Sequence, residues 1–186
     1  MAIETAKKRW TRDELERFPR DGNRYEVLDG ELLVTPQAAI GHQIIALRLT
    51  FALHVYCEAH RVGVTVGPGA VIFGDSELQP DCEVLRRDPK IIGKKWEEMP
   101  YPALVAEVLS PSGAARRRDL ETKRQAYLKL GIKCYWAVDQ DARCVHAWSG
   151  DDPEQIVSDT LRWQPDPAIA AFEIRLDSLF APVSAP

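Results

Sequence analysis

The chain has 186 residues, 45% hydrophobic and 28% charged, with 24 Lys and Arg against 28 Asp and Glu for a net charge of −4. That length serves one sizeable core and is short for two, so a single domain over 1–186 is expected, with about 10–180 as its ordered core and frayed tails. The acidic balance excludes a global attraction to nucleic acid but not a local basic face, and the lack of an apolar run near the roughly 18 residues of a membrane span makes cytoplasm the expected location, with no membrane partner.

Thr11 with Glu14 reads as a capping box opening a short helix from Arg12 to about Phe18, ended by Pro19. Asp29-Gly30 between two β-like runs predicts a hairpin from Tyr25 to Val34, and alternation sets Tyr25 and Val27 on one face, Glu26 and Leu28 on the other. Ile44, Ile45, Leu49, Ala52, Leu53 and Tyr56 recur at helical spacing, which predicts a long amphipathic helix from about Ile40 to Arg61 with His42 in its first turn. Val62–Val66 and Ala70–Phe73 read as strands joined at Gly67-Pro68-Gly69, and Asp81–Leu85 as another, reached through Pro80. Asp88–Met99, with Gly93 and Lys94-Lys95, is polar and mixed and reads as a surface excursion.

Pro102 to Ser112 is an apolar, β-prone run bounded by prolines, the pattern of a strand buried on both faces. Ser110-Pro111-Ser112-Gly113 is a turn, and Arg116–Leu130 a helix closed by Gly131. Lys133–Val138 and Cys144–Trp148 form a second hairpin around Asp139-Gln140-Asp141, with one of Tyr135 and Trp136 facing the core and the other the surface. Ile156-Val157 and Phe172–Leu176 read as edge strands, and the tail frays from Pro182. Cys57, Cys82, Cys134 and Cys144 form no Cys-x-x-Cys pair and read as reduced core residues rather than zinc ligands.

Glu107 stands inside the Pro102–Ser112 run, where an ionised carboxylate is costly unless paired or bound to metal. Candidate partners are Asp81, at the start of its own strand, and Lys123, on the following helix. Hard cations such as Mg²⁺ or Mn²⁺ take one or two carboxylates plus waters and substrate oxygens, and the Val108 carbonyl lies next to Glu107 as a further donor. Lys123 would hold the attacking water and offset charge developing on a phosphate.

This residue order resembles the PD-(D/E)XK phosphodiesterase superfamily: Pro80-Asp81 for the first half and Glu107-Val108-Leu109 for the second, with Leu109 where the usual pattern has lysine. It resembles more closely a large bacterial family of restriction-endonuclease-like proteins, often described as a domain of unknown function, whose lysine has migrated to the next helix. Tyr25-Glu26, Asp29-Gly30-Glu31, His42, Gln79-Pro80-Asp81, Glu107 through Ser112, Asp119, Lys123, Tyr127, Tyr135-Trp136 and Asp139 carry the match. The resemblance implies an α/β fold with a central mixed sheet flanked by helices, metal at Asp81 and Glu107, and Lys123 as the migrated lysine. Asp119, Lys123 and Tyr127, four apart, share one helix face. Glu26 is a possible accessory acid on the resemblance alone, and His42 could contact substrate or sit neutral against the sheet.

Each residue also has a plainer reading. Asp81 after proline suits a turn, Lys123 a solvated lysine paired with Asp119, and Glu26 an exposed hairpin carboxylate. Arg116-Arg117-Arg118 and Lys94-Lys95 suit phosphate contact or ordinary solvation. The joint reading is a Mg²⁺-dependent nuclease acting on nucleic acid, DNA by the resemblance, with a homodimer suited to cutting both strands. The alternative is a non-catalytic nucleic-acid-binding or protein-interaction module on the same fold.

Overall fold

A computed structural model describes residues 8–111 and 113–183. The strands are β1 (Arg24–Leu28), β2 (Glu31–Thr35), β3 (Gly63–Val66), β4 (Val71–Phe73), β5 (Ser76–Leu78), β6 (Cys82–Arg86), β7 (Leu104–Val108), β8 (Cys134–Asp139), β9 (Cys144–Ser149), β10 (Gln155–Val157), β11 (Thr160–Trp163) and β12 (Phe172–Arg175). Helix α1 spans Ile40–His60, α2 Gly113–Arg117, α3 Arg124–Lys129 and α4 Leu176–Leu179, with a π-helical turn, Arg118–Lys123, joining α2 to α3. Ser112, part of the expected turn, and residues 1–7 and 184–186 of the tails lie outside the described residues.

A six-stranded sheet in the order β10-β9-β8-β7-β6-β3 forms the centre, antiparallel except for the parallel pair β7–β8. The helical segment from α2 to α3 makes that crossover, the usual way to join parallel neighbours. On one face α1 lays Ile45, Leu49, Leu53 and Tyr56 against Cys82, Val84, Leu104, Ala106 and Trp136, and β11, β12 and α4 extend the same core. On the other face, Ala126, Tyr127 and Ile132 meet Val105, Tyr135 and Ala137, together with Leu28, Leu33, Val71 and Leu78 from a second sheet, β2-β1-β5-β4. The central mixed sheet is thus flanked by helices on both faces, and on one of them by a small sheet as well.

The hairpin at Asp29-Gly30 forms with both residues at positive φ, 51° and 86°, the pattern of a tight primed turn that asparagine, aspartate and glycine tolerate. Alternation along β1 holds, but Val27 and Leu28 are both buried because the strand has protein on either side. Tyr135 and Trp136 correct the expectation of one core and one surface residue: β8 runs between two covered faces, and both are buried. The first helix is 3₁₀ rather than α over Arg12–Arg17, with the Thr11 N–H donating to Glu14 Oε2 at 3.0 Å. The Asp88–Met99 excursion carries two short 3₁₀ turns, Ile91–Gly93 and Trp96–Glu98. All four cysteines are free and buried. No helix among the described residues is long and apolar enough to cross a membrane.

Candidate active site

Pairing of β6 with β7 sets Cys82 opposite Ala106, so Asp81, one residue before β6, comes beside Glu107 near the end of β7. The next residue ties the two strands together: the Val108 N–H donates to Asp81 Oδ2 at 2.8 Å. Strand alternation turns Glu107 and Val105 away from α1 and toward α3 and the second sheet. There the π-helical turn, a widening often found at functional sites, delivers Asp119 and Lys123 onto the same carboxylates.

Lys123 is 1% exposed, and its Nζ lies 2.9 Å from Glu26 Oε1, 3.1 Å from Glu107 Oε1 and 3.4 Å from Asp119 Oδ1. A lysine is buried to this degree only when charge partners replace its water. The Tyr127 hydroxyl donates to Glu107 Oε1 at 3.3 Å, the Gln79 N–H to Glu26 Oε1 at 2.7 Å, and the Tyr135 hydroxyl to the Asp119 carbonyl at 2.7 Å. His42 Nε2 lies 3.2 Å from Asp81 Oδ2.

Arg24, a residue that sequence reasoning passed over, completes the cluster. Its Nη1 donates to Asp81 Oδ1 at 2.7 Å and to the Gln79 carbonyl at 2.9 Å, while Nη2 lies 3.8 Å from Glu107 Oε2 and Nε 3.8 Å from Glu26 Oε2. A signal did exist: Arg24 and Glu26 are two apart on a strand and so share a face. An arginine at a strand's start, however, is read by default as solvated. Glu83, on the same face of β6 as Asp81, was also missed. It is fully buried and neither oxygen has a hydrogen-bond partner of good geometry.

The electrostatics follow from burial and the charge count. Four carboxylates (Glu26, Asp81, Glu107, Asp119) face two permanent cations, Arg24 and Lys123, so the cluster would carry two surplus negative charges only if every acid were ionised. Burial pushes the Glu107 carboxyl up to about 8 against the pull of Lys123 and Arg24, with Asp81 and Asp119 adding to the rise. Burial also raises Asp119, only partly offset by Lys123. Burial alone would depress Lys123, but Glu107, Glu26 and Asp119 outweigh it and keep the ammonium charged above its ordinary range. Asp81 is the exception: burial raises it, yet the His42 hydrogen bond, Arg24 and the Val108 N–H hold it down at about 2. Glu107 and Asp119 thus hold protons more tightly than ordinary carboxylates, beside an Asp81 held ionised.

The donor set suits a hard divalent cation. The oxygens are carboxylates, and Glu107 Oε2 and Glu26 Oε2 are buried with no hydrogen-bond partner among the described residues. Asp139, Cys144 and His146 also converge within 4.8 Å at the end of the β8–β9 hairpin. There Asp139 is paired with Arg116, and His146 Nδ1 lies 2.5 Å from Glu154.

The structure thus brings together Glu26, His42, Asp81, Glu107, Asp119, Lys123 and Tyr127. The basic residues divide. Arg116 pairs with buried Asp139, Arg118 reaches the Val34 carbonyl and Thr35 hydroxyl, and Arg117 is exposed beside them. Lys94 pairs with Asp88, and with Lys95 lies on the connection between the far ends of β6 and β7, away from Asp81 and Glu107.

The fold is that of restriction-endonuclease-like proteins. It superposes with a TM-score of 0.70 on a crystal structure from Anabaena variabilis described as a "putative nuclease belonging to DUF820", covering 92% of this chain and 97% of that one at 19% identity. The family Uma2, described as "Putative restriction endonuclease", matches residues 12–177, and the chain belongs to it. An uncharacterised protein of Synechocystis sp. is 24% identical over 144 residues, which are 73% of this chain and 81% of that protein.

Proposed function

We propose that the chain is a divalent-metal-dependent nuclease that hydrolyses phosphodiester bonds, with DNA as substrate and Mg²⁺ or Mn²⁺ as cofactor. One observation carries this reading: a buried cluster of four carboxylates around two cations, two of its oxygens without a hydrogen-bond partner among the described residues, which reaches a groove of about 670 Å³ through Asp81 and Arg24. Asp81 and Glu107 would hold the ion, with the Val108 carbonyl as neighbouring donor and Glu26 as accessory acid. When bound, a divalent ion supplies Lewis-acid stabilisation of charge on the phosphoryl oxygens.

The remaining roles belong to the protein. Lys123 fixes Glu107 through Oε1, which leaves Oε2 free, and offsets negative charge developing at the scissile phosphate. Tyr127 and Asp119 fix Glu107 and Lys123 in turn. His42 orients Asp81. Arg117, the exposed member of its run, contacts the flanking backbone, with Arg116 and Arg118 beside it. Membership in a family described as "Putative restriction endonuclease" supports DNA as the substrate. A two-fold dimer on the exposed stripe of α1, Ile40, Leu47, Phe51 and Val55, would match the symmetry of a duplex.

The reading is tested by nicking of supercoiled plasmid with Mg²⁺ or Mn²⁺, beside EDTA, Glu107→Ala and Lys123→Ala. Loss in all three controls is expected. Activity that survives in both variants assigns the cleavage elsewhere. The Arg24–Asp81 pair, which fills the ion's place, favours a second reading, a non-catalytic binding module, and DNA binding without nicking in any lane would establish it.

A further inference from the structure

Resting on the metal-site reading above, we infer that Arg24 is a displaceable resident cation: it occupies the carboxylate cluster until a divalent ion enters, then turns into the adjoining groove to contact the substrate phosphate. Its guanidinium stands at the hub of the site, with Nη1 facing Asp81, Nη2 facing Glu107 and Nε facing Glu26. Those are the three acids whose oxygens an ion would take.

The guanidinium fits this place imperfectly. It makes one carboxylate hydrogen bond, at 2.7 Å, while both glutamates stay 3.8 Å away with Oε2 unpartnered, and the Arg24 Nε–H is itself buried without an acceptor. Lys123 is the contrast. It lies within 3.4 Å of three carboxylates at 1% exposure, whereas the Arg24 side chain is 22% exposed at the mouth of the cluster. One cation is built in and the other stands at the opening. A divalent ion and a guanidinium cannot share that space, because like charges a few ångströms apart repel strongly when water is scarce.

The groove explains where Arg24 would go. Among the described residues lining it, Arg24 is the sole lysine or arginine; the other polar side chains include Asn23, Gln37, His42, Gln43 and Gln140. These donors suit a sugar–phosphate backbone but carry no permanent positive charge. A bidentate guanidinium released from Asp81 supplies one next to the scissile position. Metal entry and substrate capture are thereby coupled through one side chain.

The test compares wild type with Arg24→Met by Mn²⁺ calorimetry and by cleavage. The variant should bind Mn²⁺ on the order of tenfold more tightly, the equivalent of one charge-assisted hydrogen bond no longer to be broken, yet cleave more slowly and with a shallower salt dependence of substrate binding. Equal Mn²⁺ affinity in wild type and a folded variant overturns the inference and leaves the metal-site reading standing. Weaker binding by a folded variant also overturns it, since Arg24 would then merely support the acids. Mn²⁺ binding by neither protein, nor by Glu107→Gln, overturns the metal-site reading and the inference with it. Should Arg24→Met not fold, the Arg24 Nε–Hε resonance of the wild type decides: Mg²⁺ should shift it and speed its exchange with water, and an unmoved resonance in Mg²⁺-saturated protein contradicts displacement.

Discussion

Glu83→Gln should change how stability depends on pH. Glu83 is fully buried with no good hydrogen-bond partner, and burial pushes its carboxyl from an ordinary 4.5 up to about 8, a rise the Ala70 N–H only partly offsets. The folded chain therefore holds a proton that the unfolded chain gives up. Stability from this group is fully present below about pH 4.5 and is lost as pH rises through 8. Across that window the slope is about 1.4 kcal/mol per pH unit, so wild type should lose roughly 3 kcal/mol relative to Glu83→Gln between pH 5.5 and 7.5. Glutamine keeps the shape and cannot ionise. Urea unfolding of both proteins in EDTA at pH 5.5, 6.5 and 7.5 gives the difference directly, with the other carboxyls cancelling. Parallel stability curves would show that Glu83 is solvated or paired in solution, and the reasoning would fail.

Four further outcomes are expected. Lys123→Met should lower stability by about 3–5 kcal/mol in chemical denaturation, since it strands buried carboxylates, and added Mn²⁺ should raise its melting temperature more than that of wild type. Tyr127→Phe removes one hydrogen bond to Glu107 and should cost about 1 kcal/mol by the same assay. Gly69→Ala should destabilise by roughly 1–3 kcal/mol, because a Cβ there would stand 2.0 Å from Glu83 Oε1, and thermal melts would read it. Arg117→Ala should weaken DNA binding and reduce its salt slope, whereas Arg116→Ala, which breaks the pair with buried Asp139, should act mainly on the melting temperature.

Much of the layout was legible because it rests on local rules. Asp29-Gly30 set its hairpin, the spacing from Ile44 to Tyr56 set α1, and the apolar run around Glu107 set the central strand. The buried charge at Glu107 pointed correctly to a cluster, since such a residue requires partners. What escaped notice depends on tertiary pairing. β5 is three residues, Ser76-Glu77-Leu78, with no apolar period, and it exists because β1 and β4 flank it. β11 does alternate, with Leu161 and Trp163 buried, but its four residues are too short to stand out from the polar segment before them. The π-helical turn has no sequence mark, because its extra residue is accommodated by packing over the sheet. Arg24 and Glu83 were hidden for opposite reasons: arginine is usually solvated, and a glutamate within a short strand looks surface-facing until both faces prove covered.

One measurement asks directly whether Asp81 and Glu107 share a divalent ion. Crystals soaked in Mn²⁺ and measured at the manganese absorption edge should show an anomalous peak between Asp81 and Glu107, within coordinating reach of Glu107 Oε2. Absence of a peak there at saturating Mn²⁺, or a peak only at Asp139, Cys144 and His146, would contradict it.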